Sequence, residues 1–568
     1  MAEQDVSPKA TGSRVDRRKF LKVTLGAGGA LLVGACGGDA PPAPAPKTNE
    51  SLKPAAPAPA TSGSTPAAAS AAPATAPATP AKVGTETIRI AIGVDPDTLE
   101  PVGQTTTTVQ NIVDYMVESL VALGEDGRPR PALAESWEVS PDGKTYTFKL
   151  RQGVKFHDGA TFNAEAVKLS FDRVINKDMK VPLRAPMDNV EAVTPVDANT
   201  VRFNLKTAFP PFIAAMTASQ YGIVSPEVAK GNPTSYREEP IGTGPYQFKS
   251  RAKGSEVILV RNESYWGRKP YYQTVQFRVV PEAATRESLL LANQAEMIIL
   301  PPISDIPRLQ QNSQVKVVLA PSNRTIFIAI DTTRPGPVQD PKFRQALNYA
   351  VDKEGIIKSV MFGAAEAMDA PMSSQLFGYC KVGSYAYDPN KAKQILRDGG
   401  WTNVSLKMVH PSGRYVQDAQ ASQAIAGNLR DVGLNVETAT SDWPTYLATI
   451  NVPPDKATAD IHLLGWAPGF LDAAQQMVQF KKSAWPPAGL ATSHYTNPQV
   501  EDLLTKADQN QNEKERAEQY CQASQLIWND APWIFLWVQR FPIVYSAKVK
   551  GIGALATEKF SALYAEPA

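Results

Sequence analysis

Residues 131–173 read PALAESWEVSPDGKTYTFKLRQGVKFHDGATFNAEAVKLSFDR. Tyr146, Phe148 and Leu150 alternate with polar residues, the period of a strand with one buried face. His157-Asp158-Gly159 follows that strand and precedes Asn163, where a helix with Ala166, Val167, Phe171 and Val174 inward is expected. A histidine beside an aspartate suits a metal site or an acid/base dyad. Asp-Gly between a strand and a helix is also turn chemistry, because glycine supplies the positive φ and the aspartate can bond backbone donors. A metal site needs three or more converging ligands, yet no HExxH or CxxC spacing occurs, and His410, His462 and His494 lie far off in sequence. The expectation is a turn. Nucleotide and hydrolase motifs fail as well. The GKT at Gly143 to Thr145 has Glu138 where a phosphate loop needs glycine, Gly242-Thr243-Gly244 leads into a strand, and no G-x-S-x-G elbow occurs.

Outward from this stretch, TVRFNL (200–205) and TVQFRVV (274–280) repeat the strand alternation and are expected to be antiparallel. VQNIVDYMVESLVAL (109–123) carries Ile112, Val113, Met116, Val117, Leu120 and Val121 at helical spacing. After about residue 320, strands alternate with helices. TIFIAID (325–331) reads as a buried strand, and Asp340-Pro341, Asp352 and Asp388-Pro389 supply N-caps for three helices. SLKMVH, a helix over 417–431, LNVETAT and DIHLLGW continue the series, which implies a mostly parallel sheet with helices on both faces. The closing WIFLWVQRFPIVYS (533–546) suggests a return to the first lobe, leaving two crossings that can act as a hinge. The partition expected is a first-lobe core of 85–127, 226–320 and 530–568, an extra subdomain of 128–225, and a second lobe of 321–529.

The first 36 residues, ending VTLGAGGALLVGAC, pair a charged region with an apolar run too short to span a bilayer, so they read as an export signal. Arg17-Arg18 with Phe20-Leu21 resembles a twin-arginine signal, the general secretory route being the alternative. Val33-Gly34-Ala35-Cys36 resembles a lipobox, which would place a lipid on Cys36 and anchor the chain to the outer face of the cell membrane. Residues 37–84 collapse to Ala, Pro, Ser and Thr, a disordered tether that could extend about 140 Å at ~3.1 Å per residue. Of the 58 basic and 56 acidic side chains, six and three lie in the signal, so the rest carries 52 and 53. A balance this even lacks the basic face that nucleic acid requires. Cys380 and Cys521 remain, and an exported protein allows either one disulfide or two buried thiols.

The stretch at 131–173 also resembles the signature of the family 5 extracellular solute-binding proteins, the peptide- and nickel-binding receptors of ABC importers. The resemblance continues through GTGPYQFKS (242–250), NESYWGRKPYY (262–272), FRQALNYAVDKEGI (343–356), DPNKAKQILRDGGW (388–401) and residues 501–537. It implies an α/β, two-lobed fold of the periplasmic-binding-protein kind (class II type) with an extra subdomain in the first lobe. It implies no catalysis and no cofactor. The partners it implies are a peptide or other small ligand and permease subunits with their ATPase, the receptor acting as a monomer. A nickel-chelate or oligosaccharide receptor is the alternative within the fold; an exported hydrolase would need a nucleophile-base pair that the sequence does not offer.

The resemblance further implies ligand contacts on the second lobe. Arg414 and Tyr415 stand where peptide-binding members place an arginine and an aromatic near the peptide carboxylate, Trp443 is a candidate aromatic wall, and Gly465-Trp466 matches a cleft-lining Gly-Trp. A surface or lobe-lobe salt bridge is the other use for Arg414. Peptide receptors carry an acidic residue three positions after that tryptophan, for the ligand's ammonium, but here Gly469 stands there. Asp472 matches a second family aspartate, followed by Ala473 instead of proline. Either Asp472 replaces the missing acid or the ligand is not an ordinary peptide. Trp137, Trp266 and Trp401 are assigned to packing.

Overall fold

The strand Thr325–Ile330 is buried at all six positions. Ile326, Ile328 and Ile330 enter one core while Phe327 and Ala329 enter another, so a continuous apolar run becomes a central strand covered on both faces. It belongs to a computed structural model that describes residues 84, 86–103, 107–176, 185–230 and 239–568. The signal, Cys36 and nearly all of the tether lie outside the described residues.

Three sheets organise the chain. A seven-stranded sheet runs in the order Val315–Ala320, Phe541–Ser546, Met297–Ile299, Thr87–Ile92, Thr274–Val279, Glu256–Arg261, Tyr246–Ala252. A four-stranded antiparallel sheet, Ala134–Val139, Thr145–Leu150, Thr200–Leu205, Val190–Asp197, forms a subdomain with the helix Ala164–Ile175 packed against it. Tyr146, Phe148 and Leu150 point into its core, as their alternation requires. The third sheet has six strands, Ala365–Ala367, Trp533–Gln539, Thr325–Ile330, Ile461–Trp466, Ser405–Pro411, Asn435–Ser441. Its helices begin at the expected caps: the Asp340, Asp352 and Asp388 side chains accept from Lys342 N, Gly355 N and Lys391 N at 2.8–2.9 Å.

Four expectations need correction. The six-stranded sheet is mixed, because Thr325–Ile330 runs antiparallel to both neighbours and only Ser405–Pro411 makes parallel pairs. The chain enters this sheet by one crossing and leaves by the adjacent one, so the entering and leaving strands must oppose each other. For the same reason the second lobe does not end at 529. Trp533–Gln539 pairs within the six-stranded sheet and only Phe541–Ser546 joins the seven-stranded one, which moves the return crossing to residue 540. Thr274–Val279 is parallel to Thr87–Ile92 on one side and antiparallel to Glu256–Arg261 on the other. Finally, the helix over 109–123 stops at Val113. Beyond it, Tyr115 O and Met116 O accept from Tyr246 N and Gly244 N at 2.9 Å. A Cβ at Gly242 would stand 2.2 Å from Met116 O, so only glycine allows this approach, and the backbone there is committed to the Gly-Thr-Gly loop instead of a helix.

Cys380 and Cys521 form a disulfide that ties an irregular segment to the helix Glu513–Asp530 across a sequence separation of 141. Closing so long a segment stabilises chiefly by restricting the unfolded chain. Cys521→Ser is expected to cost about 2–5 kcal/mol in chemical denaturation. Reduction of the wild type should lower its midpoint to match, and an unchanged midpoint would show that the bridge does not form.

Candidate functional site

His157-Asp158-Gly159 builds a turn. Gly159 has φ 87°, Asp158 Oδ1 accepts from Ala160 N at 3.0 Å, and its other oxygen accepts from Ser225 Oγ. Burial lowers the His157 pKa, so the ring is neutral near pH 7 and donates from Nε2 to Gly244 O at 2.9 Å. The motif thereby clamps the Gly-Thr-Gly loop. Among the described residues no group of three or more His, Cys, Asp or Glu side chains is placed to hold a metal.

The candidate ligand residues gather at one end of the six-stranded sheet. Between Ser405–Pro411 and the helix Asp418–Asp431, the buried Asp418 carboxylate accepts from Gly413, Arg414 and Tyr415 N at 3.1, 2.7 and 3.0 Å, which shapes the loop presenting Arg414 and Tyr415. Tyr415 donates to Gly465 O at 3.2 Å. A Cβ at Gly465 would fall 2.7 Å from that ring, so the glycine makes room for the tyrosine. Trp443, at the start of the helix Trp443–Ile450, meets Tyr415 edge-on at 6.0 Å between centroids and stacks on Tyr446 at 5.7 Å. The Arg414 guanidinium lies 5.1 Å from the Tyr415 ring centre and 5.0 Å from that of Trp443. Arg414 is exposed, and among the described residues no carboxylate lies within ion-pair distance of it. Trp466, half-buried, donates its indole N–H to Gln475 O at 3.2 Å.

Asp472 is elsewhere. Its carboxylate is buried, receives Arg516 Nη2 at 2.5 Å and caps the helix Ala473–Met477 through Ala474 N at 2.9 Å. Burial raises its pKa and Arg516 opposes the rise. Of the two alternatives left open for the missing acid, a replacement by Asp472 would have to draw on a carboxylate that is already paired with Arg516. The scaffold tryptophans pack as follows: Trp266 donates to Glu118 at 2.9 Å beneath Arg151, Trp401 meets Phe343 edge-on at 5.5 Å, and Trp137 lies 6.4 Å from Phe148.

Sequence reasoning missed the junction. The two crossings lie side by side, with Ala320 paired to Phe541, Thr325 paired to Val538, and Gln539 N bonded to Arg324 O at 2.9 Å. Arg324 grips Glu558 with two bonds of 2.8 and 2.5 Å, and Ser322 Oγ adds a third at 3.1 Å. Glu558 belongs to the C-terminal hairpin held on the first lobe through Asn111, which bonds Glu558 O and Phe560 N. Phe470 of the second lobe is buried in the core of the four-stranded subdomain, so the lobes also meet there. Only the position of Arg324, immediately before an apolar strand, could have flagged it; Glu558 sits in an unremarkable loop.

Two sheets joined by a double crossing, with a cluster of aromatic rings around an arginine that has no carboxylate partner among the described residues, are the architecture of a two-lobed solute-binding protein. Residues 128–487 match the family described as bacterial extracellular solute-binding proteins, family 5 Middle, and the chain belongs to that family, whose members serve ABC importers. The glutathione-binding protein GsiB of Pectobacterium atrosepticum is 30% identical over 479 residues, covering 83% of this chain and 92% of its own. The periplasmic binding protein DppA of Helicobacter pylori, solved with the peptide STSA, is 25% identical with a TM-score of 0.72 over 84% of this chain and 98% of its own. NikZ of Campylobacter jejuni, solved with Ni(L-His), shares the fold at 22% identity and a TM-score of 0.71 over 84% and 98%.

Burial works against the Glu558 charge, but Arg324 and the hydrogen bonds outweigh it, leaving the carboxyl below its ordinary 4.5. With the folded value below the unfolded one, the pair stabilises in full above pH 4.5 and its contribution is lost as pH falls through the folded value. Glu558→Gln should therefore flatten the acid limb of a Tm-against-pH curve. At neutral pH it should cost about 3–5 kcal/mol, since it strands a buried guanidinium. An acid limb identical to the wild type would remove Glu558 from this role.

Proposed function

We propose that this receptor closes its two lobes on a small, peptide-like solute bearing a carboxylate and presents it unaltered to the permease of an ABC importer. The observation that supports this is Arg414: an exposed guanidinium flanked by two aromatic rings and without a carboxylate partner among the described residues. Such a group suits a carboxylate from outside the chain. Tyr415, Trp443 and Trp466 would form apolar walls, with Gly465 giving the ring of Tyr415 its place. The relatives' ligands, glutathione in one and a short peptide in another, are of this chemical kind. An anionic nickel chelate would suit Arg414 by the same charge, and the Ni(L-His) complex of one structural neighbour keeps it in any ligand screen.

Shifting an open-to-closed ratio from 99:1 to 1:99 takes about 5.5 kcal/mol of differential binding. An aromatic wall burying roughly 100 Å² supplies about 2.5 kcal/mol of it. Export by the twin-arginine route, lipid attachment at Cys36 and action as a monomer at the end of the tether complete the reading.

A thermal-shift screen over peptides, metal chelates and oligosaccharides, paired with product analysis, tests it. Stabilisation without turnover is expected, whereas turnover would make the chain an enzyme. Trp466→Ala should weaken binding about 10- to 100-fold, with the empty protein's Tm within a few degrees; an unchanged Kd would take Trp466 out of the site. Cys36→Ser should move the protein from the membrane to the soluble fraction, and retention on the membrane would refute the anchor.

A further inference from the structure

The strap that follows Trp466 reads Ala467-Pro468-Gly469-Phe470-Leu471-Asp472 and links the strand Ile461–Trp466 to the helix Ala473–Met477. Connections of this kind run over the surface, so the two large apolar side chains in it need cover from elsewhere. They find it on opposite sides. Phe470, 2% exposed, is buried in the core of the first lobe's four-stranded subdomain, the cluster that also holds Phe148, Phe203 and Phe212. Leu471 belongs to a core of the second lobe, and its Cδ1 stands 3.1 Å from the place of a Cβ on Gly127, in a turn of the first lobe with φ 75°. A further contact lies at the hairpin turn between Ala134–Val139 and Thr145–Leu150. Gly143 has φ 67° there, and a Cβ on it would collide with the side chain of Gln511, in the link between the helices Pro498–Gln509 and Glu513–Asp530 of the second lobe. Bare backbone at two turns thus lets the first lobe come up against the second, with the Phe470 ring passing from one lobe into a core of the other.

Gln475 mounts this strap. Its Oε1 accepts from Gly469 N at 2.6 Å and from Phe470 N at 3.2 Å, while its backbone O accepts from the Trp466 indole N–H at 3.2 Å. Only the oxygen of an amide accepts from an N–H, so the orientation of this side chain is settled. Pro468 O takes Asn323 Nδ2 of the first crossing at 2.6 Å. The candidate aromatic wall and the ring seated in the first lobe therefore share one support, tied to the crossing. The seat is apolar and built wholly from the chain, so it favours contact between the lobes whether or not a solute is present. Parting the lobes here would bring the ring and its seat into water, which apolar burial opposes.

We propose that Phe470 is a positioning residue and the subdomain its latch: seating the ring supplies part of the free energy of closure, so the lobes close in part without solute, and Gln475 couples that seat to Trp466. This rests on the receptor reading above and adds a step that the protein performs by itself.

Double electron–electron resonance between nitroxides on Asp142→Cys and Glu513→Cys reads the latch, since both positions are exposed and flank the contact of Gly143 with Gln511. The full chain is used with Cys36→Ser, so that no native thiol is free, Cys380 and Cys521 being bridged. No solute is added. The parent chain should show a narrow short-distance population. Phe470→Ala should lower its ratio to longer distances about tenfold or more, and Phe470→Leu, which keeps an apolar side chain, should restore most of it. Gln475→Met keeps the ring but removes the acceptor that holds the strap, and should shift the distribution the same way; it carries the test if Phe470→Ala does not fold. A parent chain without the short population overturns the proposal. So does a variant, Phe470→Ala or in its place Gln475→Met, that lowers Tm and leaves the distances unchanged, which would mean the ring only fills a core. The receptor reading is judged separately, because stabilisation by solutes in the thermal-shift screen stands whatever the distances show.

Discussion

The chain passes between its two large sheets twice, and the two passages touch. Thr325 and Val538 are neighbours in one sheet, Ala320 and Phe541 in the other, and Gln539 N holds Arg324 O between them. The antiparallel pairing of Thr325–Ile330 with Trp533–Gln539 and the place of Phe541–Ser546 in the first sheet follow from both passages leaving from one end.

Electrostatics at this junction are arranged unevenly. Arg324 and Glu558 are both withdrawn from water, a state that is costly for each alone and tolerable only because the pairing is two-pronged and Ser322 satisfies a further lone pair. Asp472 and Arg516 form a second withdrawn pair inside the second lobe, where Arg516 also lies 4.7 Å from the Phe377 ring centre. Arg414 is the contrast. Its neighbours include two ring faces, which attract a cation without neutralising it, and no carboxylate pairs with it among the described residues. Asp418 supports this by spending its oxygens on the backbone of the loop and leaving the guanidinium alone.

Local chemistry was legible from residues. The Asp-Gly turn, the three aspartate caps and the alternation of Tyr146, Phe148 and Leu150 each depend on neighbours within a few positions, and the structure has them as read. The loop bearing Arg414 and Tyr415 and the strand ending in Gly465-Trp466 were found through the family resemblance, and the structure brings Arg414, Tyr415, Trp443 and Gly465 into contact. What failed was anything set by distant partners. Met116, Val117 and Leu120 have helical spacing and are buried, yet they lie outside the helix: the carbonyls of Tyr115 and Met116 are taken by a loop more than 120 residues later, and that of Leu120 by Ala134 N. Asp472 matched a motif but had a private counter-ion 44 positions away.

The sequence alone thus determined the turns and the helix starts, which follow from periodicity and side-chain reach, while the two-lobed class and the candidate aromatic residues came from the family resemblance of its long motifs. Only the tertiary structure decided strand direction in the second sheet, where the return crossing lies, and which charges are spent. Each of those depends on segments that meet through space after hundreds of intervening residues, as Arg324 and Glu558 do across 234 positions, and a one-dimensional pattern carries no record of that meeting.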